Sequence, residues 1–235
     1  MASINKDLAD GPAGLGERTT LLALLGGALR DLVVILRRPQ FYAGLFVLIL
    51  GIQMTFFSQS YLHGYVLETQ KLPYLSDLIL DNLPYINVDF LYDYFCLLSL
   101  VIFAIHVVHR RQMRAVPYFL LLCGIFHLVR GVFIVLTPLG HPQMFDGTES
   151  VFDGFSKYEL GVYPSGHTGI SYMYFLLVVG REYRALLLAC LLIVIGSLFL
   201  SRGHYSIDVL SGLFFAYAIK SFGDRHLRRR MIPEF

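Results

Sequence analysis

The sequence contains no tryptophan and few charges. Lys, Arg, Asp and Glu make up 15 % of its 235 residues, well under the roughly 25 % of an ordinary soluble domain. With 56 % hydrophobic residues, the composition is not that of a water-soluble fold. Cysteine is scarce too. Cys96, Cys123 and Cys190 all fall inside apolar runs. They offer neither a disulfide framework nor the spacing of a zinc site, and read as small buried residues. There are no internal repeats and no low-complexity tracts. Without tryptophan, an interfacial aromatic belt falls to tyrosine and phenylalanine. The net charge of +2 says little by itself, but its placement excludes a nucleic-acid partner. The basic clusters flank apolar runs, where they act as topology signals and touch anionic lipids.

What is present is a series of apolar runs near the ~20 residues needed to cross a bilayer as a helix. Six spans are expected, at about 41–60, 89–108, 116–137, 166–180, 185–201 and 206–221. The fold class is therefore all-α, a polytopic membrane protein. Residues 1–40 form a polar, then interfacial, segment, 41–221 the six-span membrane domain and 222–235 a basic tail. The start of the chain lacks a basic stretch leading directly into an apolar core and cleavage site, so the first span is expected to insert uncleaved. Between Thr19 or Thr20, as caps, and Arg38, the pattern predicts an interfacial helix. Pro39 suits a break before the first crossing.

Basic residues set the orientation. Arg30, Arg37, Arg38, Arg110, Arg111, Arg114, Arg181, Arg184, Lys220, Arg225, Arg228, Arg229 and Arg230 fall on one side of six alternating crossings. Only Lys71, Lys157 and Arg202 fall on the other. The positive-inside rule then puts both termini in the cytosol. Asp77, Asp81, Asp153 and Glu159 lie in the outer connections.

This topology brings two histidines to the same exoplasmic face. His167 opens the fourth span, in "VYPSGHTGISYMYF", and His204 opens the sixth, in "LSRGHYSIDVLSG". Asp208 lies one helical turn after His204, where a carboxylate can fix the imidazole tautomer and leave the other nitrogen as base or nucleophile. Ser165, Gly166 and Thr168 stand at a helix start, whose unsatisfied amides and positive dipole end favour an anion such as phosphate. Arg130 lies in the outer half of the third span. An arginine there faces the bundle interior or a wet cavity and, with Arg202, suits phosphate oxygens. His127, on the same span, reads as a packing residue. Each of these features also has a plain structural reading as cap, ion pair or headgroup contact. Together, at one membrane face, they describe a site for phosphoryl transfer with no metal cage and no cofactor.

The stretches "YPSGHT" and "GHYSIDV" resemble the second and third signature motifs of the type 2 phosphatidic acid phosphatase superfamily. The closer resemblance is to its sphingomyelin synthase-like branch. "YLSDLILDNLPYINVDF", with Asp77 and Asp81, is similar to that branch's Pro-Leu-Pro-Asp region, and "LVRGVFIVLTPLG" to its Tyr-Arg…Thr-x-Leu-Pro segment. The resemblance spans roughly residues 72–221. It implies that His204 is a nucleophile forming a phosphohistidine, that Asp208 orients it, and that His167 is the acid, then the base. It further implies that Arg130 and the Ser165–Thr168 backbone stabilise the phosphoryl charge. Such roles match the charge stabilisation and proton transfer that phosphoryl transfer requires.

Some residues depart from the branch. Its Cys-Gly-Asp before Ser-Gly-His is replaced by "KYELGVYPSGHT", and Arg202-Gly203 stand where it carries a His–acid pair. Pro164 and Ser201-Arg202 look more like the ordinary phosphatases, although there the Ser-Arg pair lies farther from the histidine and is accompanied by a Lys-x6-Arg-Pro motif missing here. The expected activity is transfer of a phospho-headgroup from a phospholipid donor to a lipid alcohol such as ceramide or diacylglycerol. The site would face the periplasm, a lumen or the cell exterior. Asp77, Asp81, Asp153 and Glu159 are candidates for headgroup binding. Two alternatives stay open: a lipid phosphate phosphatase with water as acceptor, and a lipid-binding or transporting protein with no catalysis.

Overall fold

The computed structural model describes residues 21–69, 75–140, 142 and 161–232. Among these, all regular structure is helical. Helix α1 is Leu21–Ile35, α2 Pro39–Thr69, α3 Leu78–Asn82 and α4 Asp89–His109. A 3-10 turn, Met113–Ala115, leads into α5, Val116–Leu136. Then come α6 Gly166–Leu177, α7 Arg181–Leu200, α8 Ser206–His226 and α9 Arg228–Met231.

Each expected span coincides with one helix. Four helical stretches are long and apolar enough to cross a membrane: Pro39–Tyr65, Asp89–His109, Met113–Leu136 and Arg181–Leu200. Two of the six helices at expected spans fall outside that set. Helix α6 has only 12 residues, and α8 carries Asp208, Lys220, Asp224 and Arg225. A helix, α1, forms where the interfacial helix is expected; the expected caps Thr19 and Thr20 lie outside the described residues. Pro39 is the first residue of α2, where its missing N–H costs nothing and its fixed φ suits a helix start. The fourth segment stops short of residue 180. Gly180 turns the chain at φ 93°. His106 Nε2, from α4, lies 3.0 Å from the Val179 carbonyl oxygen and 3.1 Å from its amide, and takes one of the two according to its tautomer.

The relative directions of the helices follow from their contacts. Helices α2 and α5 run parallel, since Gly44 meets Pro117, Gly51 meets Gly124 and Met54 meets Gly131. Helices α4 and α7 run antiparallel, with Tyr92 and Cys96 packed on Val194 and Leu198 at one end and His109 on Tyr183 at the other. Helices α6 and α8 run parallel from a shared start, where the Ser165 N–H donates to the Asp208 carbonyl at 3.0 Å. The central core consists of Phe103, Tyr118, Leu122, Phe126, Met173 and Leu187 with their neighbours. Large apolar side chains such as Phe46, Phe57, Leu192, Leu210 and Phe214 point outward. That is the pattern of a bundle whose solvent is lipid.

In lipid, burying apolar surface does little to hold helices together, so close packing of small residues carries more of the association. The α2–α5 pair shows how tight it is. A Cβ on Gly51 would sit 2.3 Å from the Gly124 carbonyl oxygen, and one on Gly124 2.5 Å from the Leu48 nitrogen. Backbone cannot yield to that. By contrast, Gly196 on α7 has nothing within 4 Å of its would-be Cβ. Gly51→Ala is therefore expected to destabilise the detergent-solubilised protein by about 1–3 kcal/mol, the usual range for overpacking. Gly196→Ala should be neutral or slightly stabilising, by up to about 1 kcal/mol. Unfolding both variants beside the wild type in a denaturing detergent titration checks the contrast.

Candidate active site

Two histidine–carboxylate pairs meet where α4, α6 and α8 begin. His204 lies in the turn between α7 and α8. Its Nδ1 is 3.3 Å from Asp208 Oδ2, and the same oxygen accepts the Tyr205 amide at 2.9 Å. Asp208 thus caps its own helix while orienting the imidazole. His204 is 6 % exposed and Asp208 0 %. With Nδ1 committed, Nε2 is the nitrogen left to act, and it makes no hydrogen bond among the described residues. The second Asp208 oxygen, Oδ1, is buried with no hydrogen-bond partner among them. Arg130 is the cation whose field reaches this carboxylate.

The other pair is His167 with Asp93. His167 Nε2 lies 2.9 Å from Asp93 Oδ1. Asp93 is almost wholly buried on the first turns of α4, whereas the His167 side chain is about a quarter exposed. Tyr92 packs its ring 5.0 Å from that of His167. The two histidine rings stand 6.3 Å apart at 63°. Sequence reasoning missed Asp93. The signal that finds it is the one that found Arg130, an ionisable residue inside an apolar run.

The start of α6 is built around Arg130. The arginine lies on α5, and its Nε donates to the Pro164 carbonyl at 3.1 Å and its Nη2 to the Gly161 carbonyl at 3.1 Å. It holds the segment that leads into His167. A Cβ on Gly166 would lie 3.0 Å from Arg130 Nε, so glycine lets the guanidinium approach the helix start. Ser165 is the N-cap. Its Oγ accepts the Thr168 amide at 3.3 Å, and its hydroxyl lies 3.2 Å from Thr168 Oγ1. Both side chains are fully buried, so their hydroxyls serve the cap. The group they leave for an anion is the Gly166 amide, which as the first residue of the helix has no intrahelical partner.

Arg202 lies two residues before His204. Its backbone is left-handed at φ 53°, a conformation that costs a non-glycine residue roughly 1–2 kcal/mol and that tends to persist at functional sites. Its Nε is buried without a protein partner. His127 lies one turn before Arg130, with its ring against Phe126 and its carbonyl accepting from Thr55 at 3.2 Å.

The four outer acids separate. Asp77 is buried and bonded to three amides. Asp81, one turn further along α3, is exposed. Asp153 and Glu159 lie outside the described residues. Among the described residues, no group of three or more His, Cys, Asp or Glu is placed to hold a metal ion. A surface concavity of about 510 Å³, lined by Phe175, Gly180, Arg181, Arg184, Ala185 and Leu188, lies at the opposite end of α6 and α7. It contains no nucleophile and no paired acid, so the chemistry is not sited there.

No protein-family model matches the chain, and no match is found among curated proteins.

The electrostatics favour a neutral His204. Burial disfavours its imidazolium and holds the pKa below the ordinary 6.5, the Asp208 hydrogen bond and charge oppose this, and His167 and Arg130 add to the depression. The folded state therefore binds fewer protons here than the unfolded chain. The stability this contributes is complete above the unfolded value and is lost as pH falls below 6.5 towards the folded value. A histidine-labelled sample titrated by NMR should show His204 titrating below 6.5. Asp208→Asn should lower it further, because a counter-charge is removed. A midpoint at or above 6.5 in the wild type would overturn this account of the site.

Proposed function

We propose that the protein is a membrane phosphotransferase resembling the sphingomyelin synthase-like branch, and that it moves a phospho-headgroup from a phospholipid to a lipid alcohol. One observation carries the reading: two histidines, each bonded to a buried carboxylate, face one another 6.3 Å apart beside an arginine-supported helix start. That spacing brings a nucleophile and an acid–base group to one helix-start junction.

The steps follow from the atoms. His204 Nε2 attacks phosphorus, and the bond from phosphorus to the leaving lipid oxygen breaks. His167 gives that oxygen its proton, leaving diacylglycerol and a phosphohistidine. The acceptor hydroxyl then attacks the same phosphorus, His167 takes the hydroxyl proton, and the phosphorus–nitrogen bond breaks. Asp208 steadies the Nδ1–H of His204 as positive charge develops on the ring. Asp93 does the same for His167 through Nε2. Arg130, Arg202 and the Gly166 amide offset the charge gathering on the phosphoryl oxygens.

The membrane arrangement belongs to the same proposal. Helices α2, α4, α5, α6, α7 and α8 make six crossings, with both termini cytosolic. The parallel and antiparallel pairs are those that six alternating crossings require, and they support counting α6 and α8 as spans despite their polarity. Each helix then has its exoplasmic end at the histidines. The charges of α8 divide: Asp208 lies at the site, while at the other end Lys220 pairs with Asp224, which also accepts from Tyr118 of α5.

The test is mass spectrometry of lipid and water-soluble products after incubating purified protein with mixed phospholipids and ceramide or diacylglycerol. A new phospho-headgroup lipid is expected from the wild type. His204→Ala should abolish it. His167→Ala and Asp93→Asn should lower it, the former by about 10²–10⁴-fold as for loss of a general acid. Free phosphate or a phospho-alcohol without a new lipid would replace the transferase by the phosphatase, the reading whose motifs Pro164 and the Ser201-Arg202 pair resemble. No histidine-dependent product would leave a lipid-binding or transporting protein.

A further inference from the structure

Residues 204–206, the turn that carries the nucleophile, bond within their own hairpin and also to connections distant in sequence. The Ser206 amide donates to Asp77 Oδ2 at 2.5 Å. The Tyr205 hydroxyl donates to the Gly140 carbonyl at 3.0 Å and accepts the Leu75 amide at 3.3 Å. At the other end of the turn, the Ile86 amide donates to the Leu200 carbonyl at 2.8 Å. Tyr205 packs with Leu80 and Val162 in a small buried cluster. The segment around α3 is thus fastened to both sides of the turn.

Asp77 is the charged member of this fastening. It is 7 % exposed. Its Oδ1 accepts the Ile79 and Leu80 amides at 2.9 and 3.3 Å and caps α3, while Oδ2 reaches across 129 positions to Ser206. Ser206 is the first residue of α8, so its N–H has no partner within the helix. Burial would raise the Asp77 pKa, but the hydrogen bonds from Ser206, Leu80 and Ile79 outweigh it and hold the carboxyl below 3.8. Both oxygens are occupied by backbone amides, which argues against a headgroup ligand. His204 itself is held by a single 3.3 Å bond to Asp208, so its aim depends on where the start of α8 is placed.

We infer that Asp77 is a positioning residue for the nucleophile, bolting the outer connection to the Ser206 amide and so setting the ring of His204. The inference rests on the reading of His204 as nucleophile. Asp77→Asn keeps an acceptor for α3 but puts an amide donor against the Ser206 N–H. Asp77→Ser keeps an N-cap but is too short to reach Ser206. Asn82→Gln, exposed at the end of the same short helix, is the control.

The experiment traps phosphohistidine from phospholipid carrying a radiolabelled phosphate, and measures kcat and KM for the donor. Asp77→Asn and Asp77→Ser should both lower the trapping rate and kcat by about 10–100-fold, the scale of a small misplacement of a reacting group. KM should change less than twofold, and Asn82→Gln should match the wild type. Histidine NMR is the readout that needs no turnover. Both Asp77 variants should move the His204 resonance and its titration midpoint, and Asn82→Gln should not. A rise in KM at constant kcat would make Asp77 a headgroup ligand instead. Wild-type rates in Asp77→Ser would show that only the α3 cap matters. Either result overturns the inference. A wild type that forms no phosphohistidine counts against the proposed function, and the NMR comparison still judges the tether.

Discussion

The hydrogen bond from the Ser165 amide to the Asp208 carbonyl joins two helix starts that are far apart in sequence. It exists because the N-terminal amides and the residues before a helix have no partners of their own, and water is scarce where these helices begin. Ser165 ends one motif and Asp208 belongs to the other. Once these two backbones touch, His167 and His204 have to stand side by side. Close approach depends on Gly212, where a Cβ would lie 2.7 Å from the Ser165 carbonyl oxygen. A larger residue there would push the two starts apart and separate the histidines.

Three buried aspartates surround this junction, and each solves the cost of burying charge differently. Asp208 takes one imidazole and one amide on a single oxygen. Asp93 takes the other imidazole. Asp77 takes only amides. A carboxylate without such partners would lose several kcal/mol of hydration uncompensated. Two of these acids therefore tune and aim histidines, and the third fastens backbone. Arg130 does to carbonyls what Asp77 does to amides, fixing the Gly161–Pro164 segment that leads into His167. The chemically active atoms are few, and the groups that locate them are spread over five helices.

The placement of the longer helices was legible in the sequence because apolar runs leave little freedom, whereas that of the short helices α3 and α9 was not. His204 and Asp208 were legible as a pair because helical geometry alone puts them one turn apart. Asp93 was not. It lies in a different segment from His167, 74 positions away, and nothing local says which histidine it will meet. The roles of Ser165 and Thr168 were only half legible, since the same residues that suit an anion also cap a helix, and the structure turns their hydroxyls to each other.

By itself, then, the amino-acid order determined an all-helical, lipid-facing chain, the six apolar segments, and the histidines' places at the mouths of two of them. These are local properties, set by hydropathy, helical period and cap chemistry. Only the tertiary structure decided that Asp93 serves His167, that Asp77 grips Ser206, and that Arg130 holds the approach to α6. Those pairings depend on which helices lie side by side, and that is settled by close steric fits such as Gly51 on Gly124 and Gly212 on Ser165, which the pattern of apolar and polar residues does not encode.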